Sequence, residues 1–127
     1  MLLNDLFIVE EWRPGEGEVT AVLRLRVTHR IFEGHFPGRP VVPGACLVQL
    51  VQEMAGSVAG SAVRMIRADR IKFISMIEPG RDAAVTLTVM GTREATGEWR
   101  VDAEAKNAGA TCFRFRGIFR GGSDYAG

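Results

Sequence analysis

The sequence predicts an α+β domain in which an antiparallel sheet wraps around one long buried helix. Residues 19–29 alternate apolar and polar side chains, which is typical of a half-buried strand. Residues 43–67 are apolar almost throughout and begin with Pro43 and Gly44, which predicts a buried helix. Further strand-like segments follow and are separated by short glycine-containing turns, so we expect consecutive hairpins that form an antiparallel sheet.

The strands are expected in a simple order along the chain. A short first strand over 7–12 precedes a turn at Pro14-Gly15-Glu16-Gly17, and the alternating strand 19–29 follows. After the helix, strands are expected at 69–77, 83–93, 99–107 and 110–120. Ile71, Phe73 and Ser75 are expected to share one face of the first of these strands. The prediction is one domain over residues 1–120 and a flexible tail over 121–127.

Composition excludes several classes of function. The 127 residues are 46% hydrophobic and 24% charged, which is ordinary for one globular domain. The formal net charge of +1 gives no argument for binding nucleic acid or a membrane surface. Cys46 and Cys112 have no metal-like spacing and are expected to be buried, reduced thiols. With no signal-like segment or apolar run of about 18 residues, a cytoplasmic protein is expected.

The segment from His35 to Gly44, HFPGRPVVPG, places a histidine on a stiff loop just before the helix. Each proline fixes its own φ and biases the preceding residue toward an extended conformation. The amides of Gly44 and Ala45 are then expected at a helix N-terminus, where they can bind a developing negative charge. A base beside such an amide is half of a site for proton abstraction next to a carbonyl.

The helix carries a stripe of polar or small side chains at spacings of three and four residues. Its members are Ala45, Gln49, Gln52, Glu53, Gly56 and Gly60. Glycine inside a helix costs up to ~1 kcal/mol relative to alanine. Gly56 and Gly60 therefore indicate close approach of another backbone or a ligand, although packing against a sheet accounts for them equally well.

At this point the chain resembles the 3-hydroxyacyl-[acyl-carrier-protein] dehydratases of the hotdog fold. The matching elements are the His35–Gly44 segment, the helix behind it, the Ile71-Lys72-Phe73 run and the Glu78-Pro79-Gly80 run, within about Thr28 to Val89. The resemblance implies that His35 removes the proton α to a thioester carbonyl and that the backbone N–H of Gly44 polarises that carbonyl. It also implies a glutamate or aspartate from the partner subunit, fourteen positions after the histidine.

That acidic position is occupied by Gln49 in this chain. An amide can form hydrogen bonds but has no proton to give near neutral pH. Glu53 lies four residues further, about one helical turn away, and we expect it to supply the acid, through Gln49 or a water molecule. The alternative is that Glu53 only binds a basic or amide group at a dimer interface.

The remaining candidate residues have roles in binding. Phe36, Arg39, Pro43 and Ala45 are expected to contact the substrate. Arg64, Arg67, Arg70 and Lys72 are expected at the end of the helix and in the next strand, where cations complement the helix dipole or dock an acidic acyl carrier protein. Arg39 is a second candidate for that docking, and His29 is expected to be structural or solvent-facing. Two histidines without clustered cysteine or carboxylate ligands predict no metal site.

The resemblance implies reversible dehydration of a 3-hydroxyacyl thioester, carried on acyl carrier protein, to the trans-2-enoyl thioester in fatty-acid or related biosynthesis. No dissociable cofactor is expected, because the substrate is carried on phosphopantetheine. A homodimer or a trimer of dimers is expected, with the acyl chain in a tunnel along the helix and the dimer interface. Two alternatives remain open: a catalytically impaired homologue that binds acyl thioesters or an active partner subunit, and a thioesterase of the same fold.

Overall fold

One six-stranded antiparallel sheet and one helix make up the part of the chain that the computed structural model describes, residues 7–25, 44–75, 77 and 84–121. The elements in chain order are β1 (Phe7–Gly15), β2 (Glu18–Leu25), α1 (Gly44–Ala59), β3 (Val63–Phe73), β4 (Ala84–Arg93), β5 (Trp99–Asn107) and β6 (Ala110–Gly121). The strand order across the sheet is β1-β2-β4-β5-β6-β3. The predicted α+β class and the sheet wrapped on a single helix are therefore confirmed.

The core lies between one face of α1 and the face of the sheet that we call the inner face. Leu50, Val51 and Met54 are fully buried on the helix and meet alternating strand residues such as Leu87 and Phe113. Full burial of each large apolar side chain stabilises the fold by about 1.5–3 kcal/mol. The alternation of β2 is as predicted, with Val19, Ala21, Leu23 and Leu25 all buried.

The hairpin strands agree closely with the sequence, and β5 has the predicted bounds. The first strand is longer than predicted, because residues 13–15 continue to pair with β2. Pro14 lies opposite Val19 in this extension. Proline is tolerated there because β1 is an edge strand, where a missing N–H does not interrupt the sheet.

The predicted helix over 43–67 is too long, because α1 ends at Ala59. Gly60 has φ +77°, and its N–H donates to the carbonyl of Gly56 at 2.9 Å. A glycine in the left-handed conformation is a common helix stop. Residues 63–67 consequently belong to β3, and the strand predicted over 69–77 is Val63–Phe73, with Ser75 outside it.

Within the single chain, α1 is buried on one side rather than all round. Its buried residues are Cys46, Leu47, Leu50, Val51, Met54 and Ala55, whereas Ala45, Gln49 and Ser57 are exposed. The close approach predicted at Gly56 is confirmed, since a Cβ there would lie 3.2 Å from the carbonyl oxygen of Ser61. Gly60 lies beyond the helix and serves as its stop. No helix among the described residues is long and apolar enough to cross a membrane.

The two thiols are buried and form no disulfide, in agreement with the sequence prediction. Desolvation by burial raises the pKa of both Cys46 and Cys112. The Cys112 thiol also donates to the carbonyl of Ala105 at 3.4 Å. Both side chains therefore act as small core groups in their protonated form.

The turn of the β5–β6 hairpin holds Ala108 in a left-handed backbone conformation, which glycine and asparagine adopt more readily than alanine. Asn107 pairs with Ala110, and the two residues between them, Ala108 and Gly109, have φ of 53° and 80°. Two central residues with positive φ characterise the type I′ hairpin turn, which prefers Asn-Gly. Among the described residues, Ala108 is the one non-glycine residue with a positive φ.

We expect Ala108→Asn to raise the free energy of unfolding by about 0.5–1 kcal/mol, because asparagine tolerates the left-handed region better than alanine. Chemical denaturation measures the change. Ala95→Asn, at an exposed turn residue without positive φ, is the matched control and should change stability little. Equal effects of the two substitutions would contradict this account of the turn.

Candidate active site

The start of α1 presents backbone donors at one end of the sheet. The helix begins at Gly44, and Cys46 and Leu47 anchor its first turn in the core. The first N–H groups of a helix have no partner within the helix, and the helix dipole makes this end partially positive. Gly44 is half-buried and Ala45 is exposed, and the binding of a carbonyl by their N–H groups remains a prediction.

The ring of Phe73, at the end of β3, lies directly against Gly44. A Cβ on residue 44 would be 2.7 Å from Cζ of Phe73, which is closer than real Cβ contacts allow. The ring also packs against Phe113, with the centroids 5.4 Å apart, yet 53% of the Phe73 residue surface remains exposed. Glycine at position 44 thus allows an aromatic ring to cover the helix start. The sequence reasoning did not assign Phe73 to the site, although it belongs to the Ile71-Lys72-Phe73 run.

The predicted proximity of Gln49 and Glu53 is confirmed. The Gln49 side-chain amide donates to a carboxylate oxygen of Glu53 at 3.2 Å, one helical turn further along α1. Gln49 is exposed and Glu53 is half-buried, on the side of the helix that the sheet of the same chain does not cover. The geometry allows the amide to orient the carboxylate, while the catalytic role of either residue stays a prediction.

Gln52, on the same polar stripe, has a structural contact. Its side-chain carbonyl accepts a hydrogen bond from the backbone N–H of Met65 at 3.2 Å. Met65 is the residue of β3 at which the regular pairing with β6 is first interrupted. Gln52 therefore ties the middle of α1 to β3 and helps to fix the position of the strand that carries Phe73.

The predicted base and its loop lie outside the described residues. This applies to His35, Phe36, Arg39 and Pro43, and to the histidine at position 29. Their assigned roles therefore remain predictions. Among the residues that the structure does describe, no three histidine, cysteine, aspartate or glutamate side chains are grouped so that they could hold a metal ion.

All four cations predicted at the helix end and in the next strand lie on β3: Arg70 and Lys72 are on a strand as predicted, whereas Arg64 and Arg67 were expected in the helix. Arg64, Arg67, Arg70 and Lys72 are exposed strand residues, and the helix has no basic residue in its last turn. The explanation by the helix dipole is therefore wrong, because Gly60 ends the helix before the first of them. We call Arg64, Arg67, Arg70 and Lys72 the cationic row.

The described architecture, a single helix against one face of an antiparallel sheet with strand order β1-β2-β4-β5-β6-β3, defines a hotdog-fold protein. The family model for ApeI-like proteins, described as ApeI dehydratase, matches residues 11–112. The chain belongs to this family of 3-hydroxyacyl-acyl-carrier-protein dehydratase-like proteins.

Curated relatives of this chain are named as dehydratases of the same kind. The FabZ 3-hydroxyacyl-[acyl-carrier-protein] dehydratase of Rhodopseudomonas palustris is 33% identical over 84% of this chain and 72% of its own length. That of Rhizorhabdus wittichii is 34% identical over 49% of this chain, and the match spans only 45% of the relative. The resemblance to this dehydratase family, inferred from the His35–Gly44 segment, is confirmed at the level of the family.

A solved structure gives the same fold. A chain of the dehydratase heterocomplex ApeI:P from Xenorhabdus doucetiae superposes with a TM-score of 0.76. The superposition covers 90% of this chain and 97% of that chain, at 19% sequence identity. At this identity the likeness establishes the hotdog fold alone.

The contact between Gly44 and Phe73 can be measured with a double-mutant cycle. We expect Gly44→Ala alone to destabilise the protein by about 1–2 kcal/mol, because the new methyl group must displace the Phe73 ring. In a Phe73→Ala background the same substitution should cost nothing, since alanine favours the helix. Chemical denaturation of the four proteins gives the coupling free energy. Equal costs in both backgrounds would show that the ring does not restrict position 44.

Proposed function

We propose that the chain catalyses the reversible dehydration of a 3-hydroxyacyl thioester, carried on acyl carrier protein, to the trans-2-enoyl thioester. The observation that carries the proposal is the exposed side of α1, where the helix start at Gly44 and the hydrogen-bonded Gln49–Glu53 pair lie on one helix. Membership of a dehydratase family and the name of the FabZ relatives support it. Fatty-acid or related acyl-chain biosynthesis is the proposed setting.

In the proposed reaction His35 removes the proton α to the thioester carbonyl. Negative charge then develops on the carbonyl oxygen, and the Gly44 N–H at the helix start donates a hydrogen bond to it. The electron pair of the broken C–H bond forms the double bond as the β-hydroxyl leaves. Because the thioester itself acidifies the α-proton, the proposal includes no dissociable cofactor.

The leaving hydroxyl needs a proton, which Gln49 cannot supply. We assign the acid to Glu53, which protonates the hydroxyl through Gln49 or a water molecule so that it departs as water. The Gln49 amide already donates to Glu53, which leaves its carbonyl oxygen to accept a hydrogen bond from the substrate hydroxyl. In the hydration direction Glu53 takes the proton back as a general base.

The substrate is proposed to bind beside the start of α1. Its contacts there would be Phe36, Arg39, Pro43 and the exposed Ala45. The acyl chain would run along the uncovered side of α1, which a second subunit closes. A dimer of hotdog subunits is therefore part of the proposal, and the homodimer or trimer of dimers expected from the sequence remains a prediction.

A second candidate function is a catalytically impaired subunit that binds acyl thioesters and supports an active partner. The presence of an amide at position 49 favours it, because the acidic position of the family is lost. One assay distinguishes these two functions from each other and from the thioesterase alternative. The protein is incubated with crotonyl and 3-hydroxyacyl thioesters, and both hydration and the release of free thiol are measured. Hydration of the enoyl thioester supports the dehydratase, and release of free thiol supports a thioesterase. The absence of both activities supports the impaired subunit.

We expect Glu53→Gln to lower the rate of enoyl-thioester hydration by about 10²-fold or more, because general acid–base groups contribute 10²–10⁴-fold. Steady-state kinetics with crotonyl thioesters measures the loss in kcat. Glu16→Gln, in the exposed β1–β2 turn, is the matched control and should leave kcat unchanged. A Glu53→Gln protein with full activity would remove Glu53 from the mechanism.

Carrier docking is proposed to use the cationic row, with Arg39 as a further contact, because an acidic carrier is attracted to clustered cations. We expect Lys72→Glu to weaken binding of acyl carrier protein severalfold while the affinity for a free thioester stays the same. The matched control is Lys106→Glu, on β5, where the ammonium lies 3.9 Å from a Glu104 oxygen. Equal carrier affinity of the two variants would contradict docking at Lys72.

A further inference from the structure

The face of the sheet opposite α1, which we call the outer face, carries cations on two neighbouring strands. Phe113 and Phe115 of β6 are buried on the inner face, so Arg114 and Arg116 belong to the outer face. On β3, at the edge of the sheet, two interruptions of the pairing each leave one residue out of the ladder. The whole cationic row consequently lies on the outer face as well.

The register of β3 and β6 sets like charges against each other. Three cation pairs lie directly opposite across the two strands: Arg64 and Arg120, Arg70 and Arg116, and Lys72 and Arg114. Like charges directly opposite destabilise a strand pair. Three such pairs in one ladder indicate that an anion from outside the chain compensates this face.

Two neighbouring pairs make a compact cluster. We call Arg70, Lys72, Arg114 and Arg116 the four-cation block. Side chains that face each other across a strand pair have Cβ atoms about 4.5–5.5 Å apart, and residues two apart on one strand are separated by about 6.6–6.8 Å. The four long side chains can therefore reach one small ligand together.

Carboxylates of β5 compensate the block only in part. Nε of Arg116 lies 2.7 Å from an oxygen of Asp102, and Nε of Arg114 lies 3.4 Å from an oxygen of Glu104. Glu104 is shared with Lys106, whose ammonium lies 3.9 Å from the carboxylate. Because a guanidinium has five N–H donors, one contact through Nε leaves donors for a further acceptor.

The β3 members of the block lack even this compensation. Arg70 and Lys72 form no ion pair with any residue that the structure describes. The one carboxylate of β3, Asp69, contacts Arg67 at 2.8 Å. Four cations and the two β5 carboxylates therefore leave the block with a formal charge of +2.

A hollow of about 240 Å³ opens on the outer face beside the block. Its lining includes Arg70, Arg114 and Arg116, together with the exposed Met90 of β4. Pockets for drug-sized ligands have volumes of about 300–1,000 Å³. This hollow is smaller and suits a compact anion.

We propose that the four-cation block binds a soluble small molecule that carries a diphosphate group. The two cation pairs lie two residues apart along the strands, so each pair can meet one of the two phosphoryl groups. Arginine presents a planar fork of donors that matches phosphate oxygens, and lysine adds a point charge. The bound anion offsets the repulsion across the β3–β6 ladder.

This inference does not depend on the proposed reaction. The block lies on the face of the sheet opposite α1, so its ligand does not occupy the candidate active site. Because carrier docking is proposed to use two of the same cations, the experiment contains no carrier protein and measures no catalytic activity.

The probe is inorganic pyrophosphate, added to the purified chain. Isothermal titration calorimetry measures its dissociation constant, and thermal unfolding measures the melting temperature. Pyrophosphate should raise the melting temperature more than sodium chloride at the same ionic strength, because salt only screens charge whereas a bound ligand stabilises the folded state. Inorganic phosphate, which meets one cation pair at a time, should bind about tenfold more weakly or worse.

Arg70→Gln combined with Lys72→Gln removes the two exposed cations of the block that have no ion pair. We expect this variant to bind pyrophosphate about tenfold more weakly or worse. Without the anion it should melt at the same temperature as the wild type or higher, because two like-charge pairs are gone. A purely structural role of the two side chains would instead lower the melting temperature.

The matched control removes two cations from the other side of the sheet. Arg13 and Arg24 are exposed strand residues, and each forms an ion pair with a glutamate of β1. Arg13→Gln combined with Arg24→Gln should leave the affinity for pyrophosphate unchanged. Arg70→Lys keeps the charge and should retain binding within a few fold.

Four results would overturn the proposal. An equal rise in melting temperature with sodium chloride would show screening without a site, and equal loss of affinity in the block variant and the control would place binding elsewhere. Equal affinities for phosphate and pyrophosphate would remove the diphosphate assignment. Binding to phosphatidic-acid vesicles by a chain that does not bind pyrophosphate would make a lipid surface the ligand of this face.

Discussion

The reversal of the chain at Gly60 is the constraint on which the rest of the structure depends. Its left-handed conformation ends α1 and sends the chain back as β3 along the helix that it has just left. The Gln52 side chain holds the two elements together near the reversal, and the Phe73 ring meets Gly44 at the far end. Helix start, helix middle and edge strand are therefore positioned by one turn. If α1 ended at a different residue, the helix start, the helix middle and the edge strand would all change position relative to one another.

Backbone groups and side chains contribute different features to the candidate site. The backbone at Gly44 supplies donors that need no side chain, so the residue can be glycine and leave room for an aromatic ring. The Gln49–Glu53 hydrogen bond supplies polarity on the side of α1 that the sheet does not cover. Because this side of α1 is exposed in a single chain, the proposed reaction would be shielded from water by a second subunit that covers it.

The sequence predicted the fold class, the hairpin strands and the pairing of Gln49 with Glu53, because each follows from a period of two or of about four residues. It missed the end of the helix, because Val63, Met65 and Ile66 continue an apolar pattern that a helix and a buried strand share. The signal in the sequence that could have marked the end of the helix was Gly60 followed by Ser61. The contact of Phe73 with Gly44 depends on the path of β3, which no local pattern contains. The position of His35 lies outside the described residues, so its role rests on the resemblance.

The two interruptions in β3 have an evolutionary consequence. Ile66 and Asp69 stand between the paired residues of the ladder, so neither contributes a regular pair with β6. Substitution at these two positions can alter the charge and apolarity of the exposed edge at little cost to the sheet. Related chains can therefore vary the chemistry of this edge strand while the helix and the core stay the same.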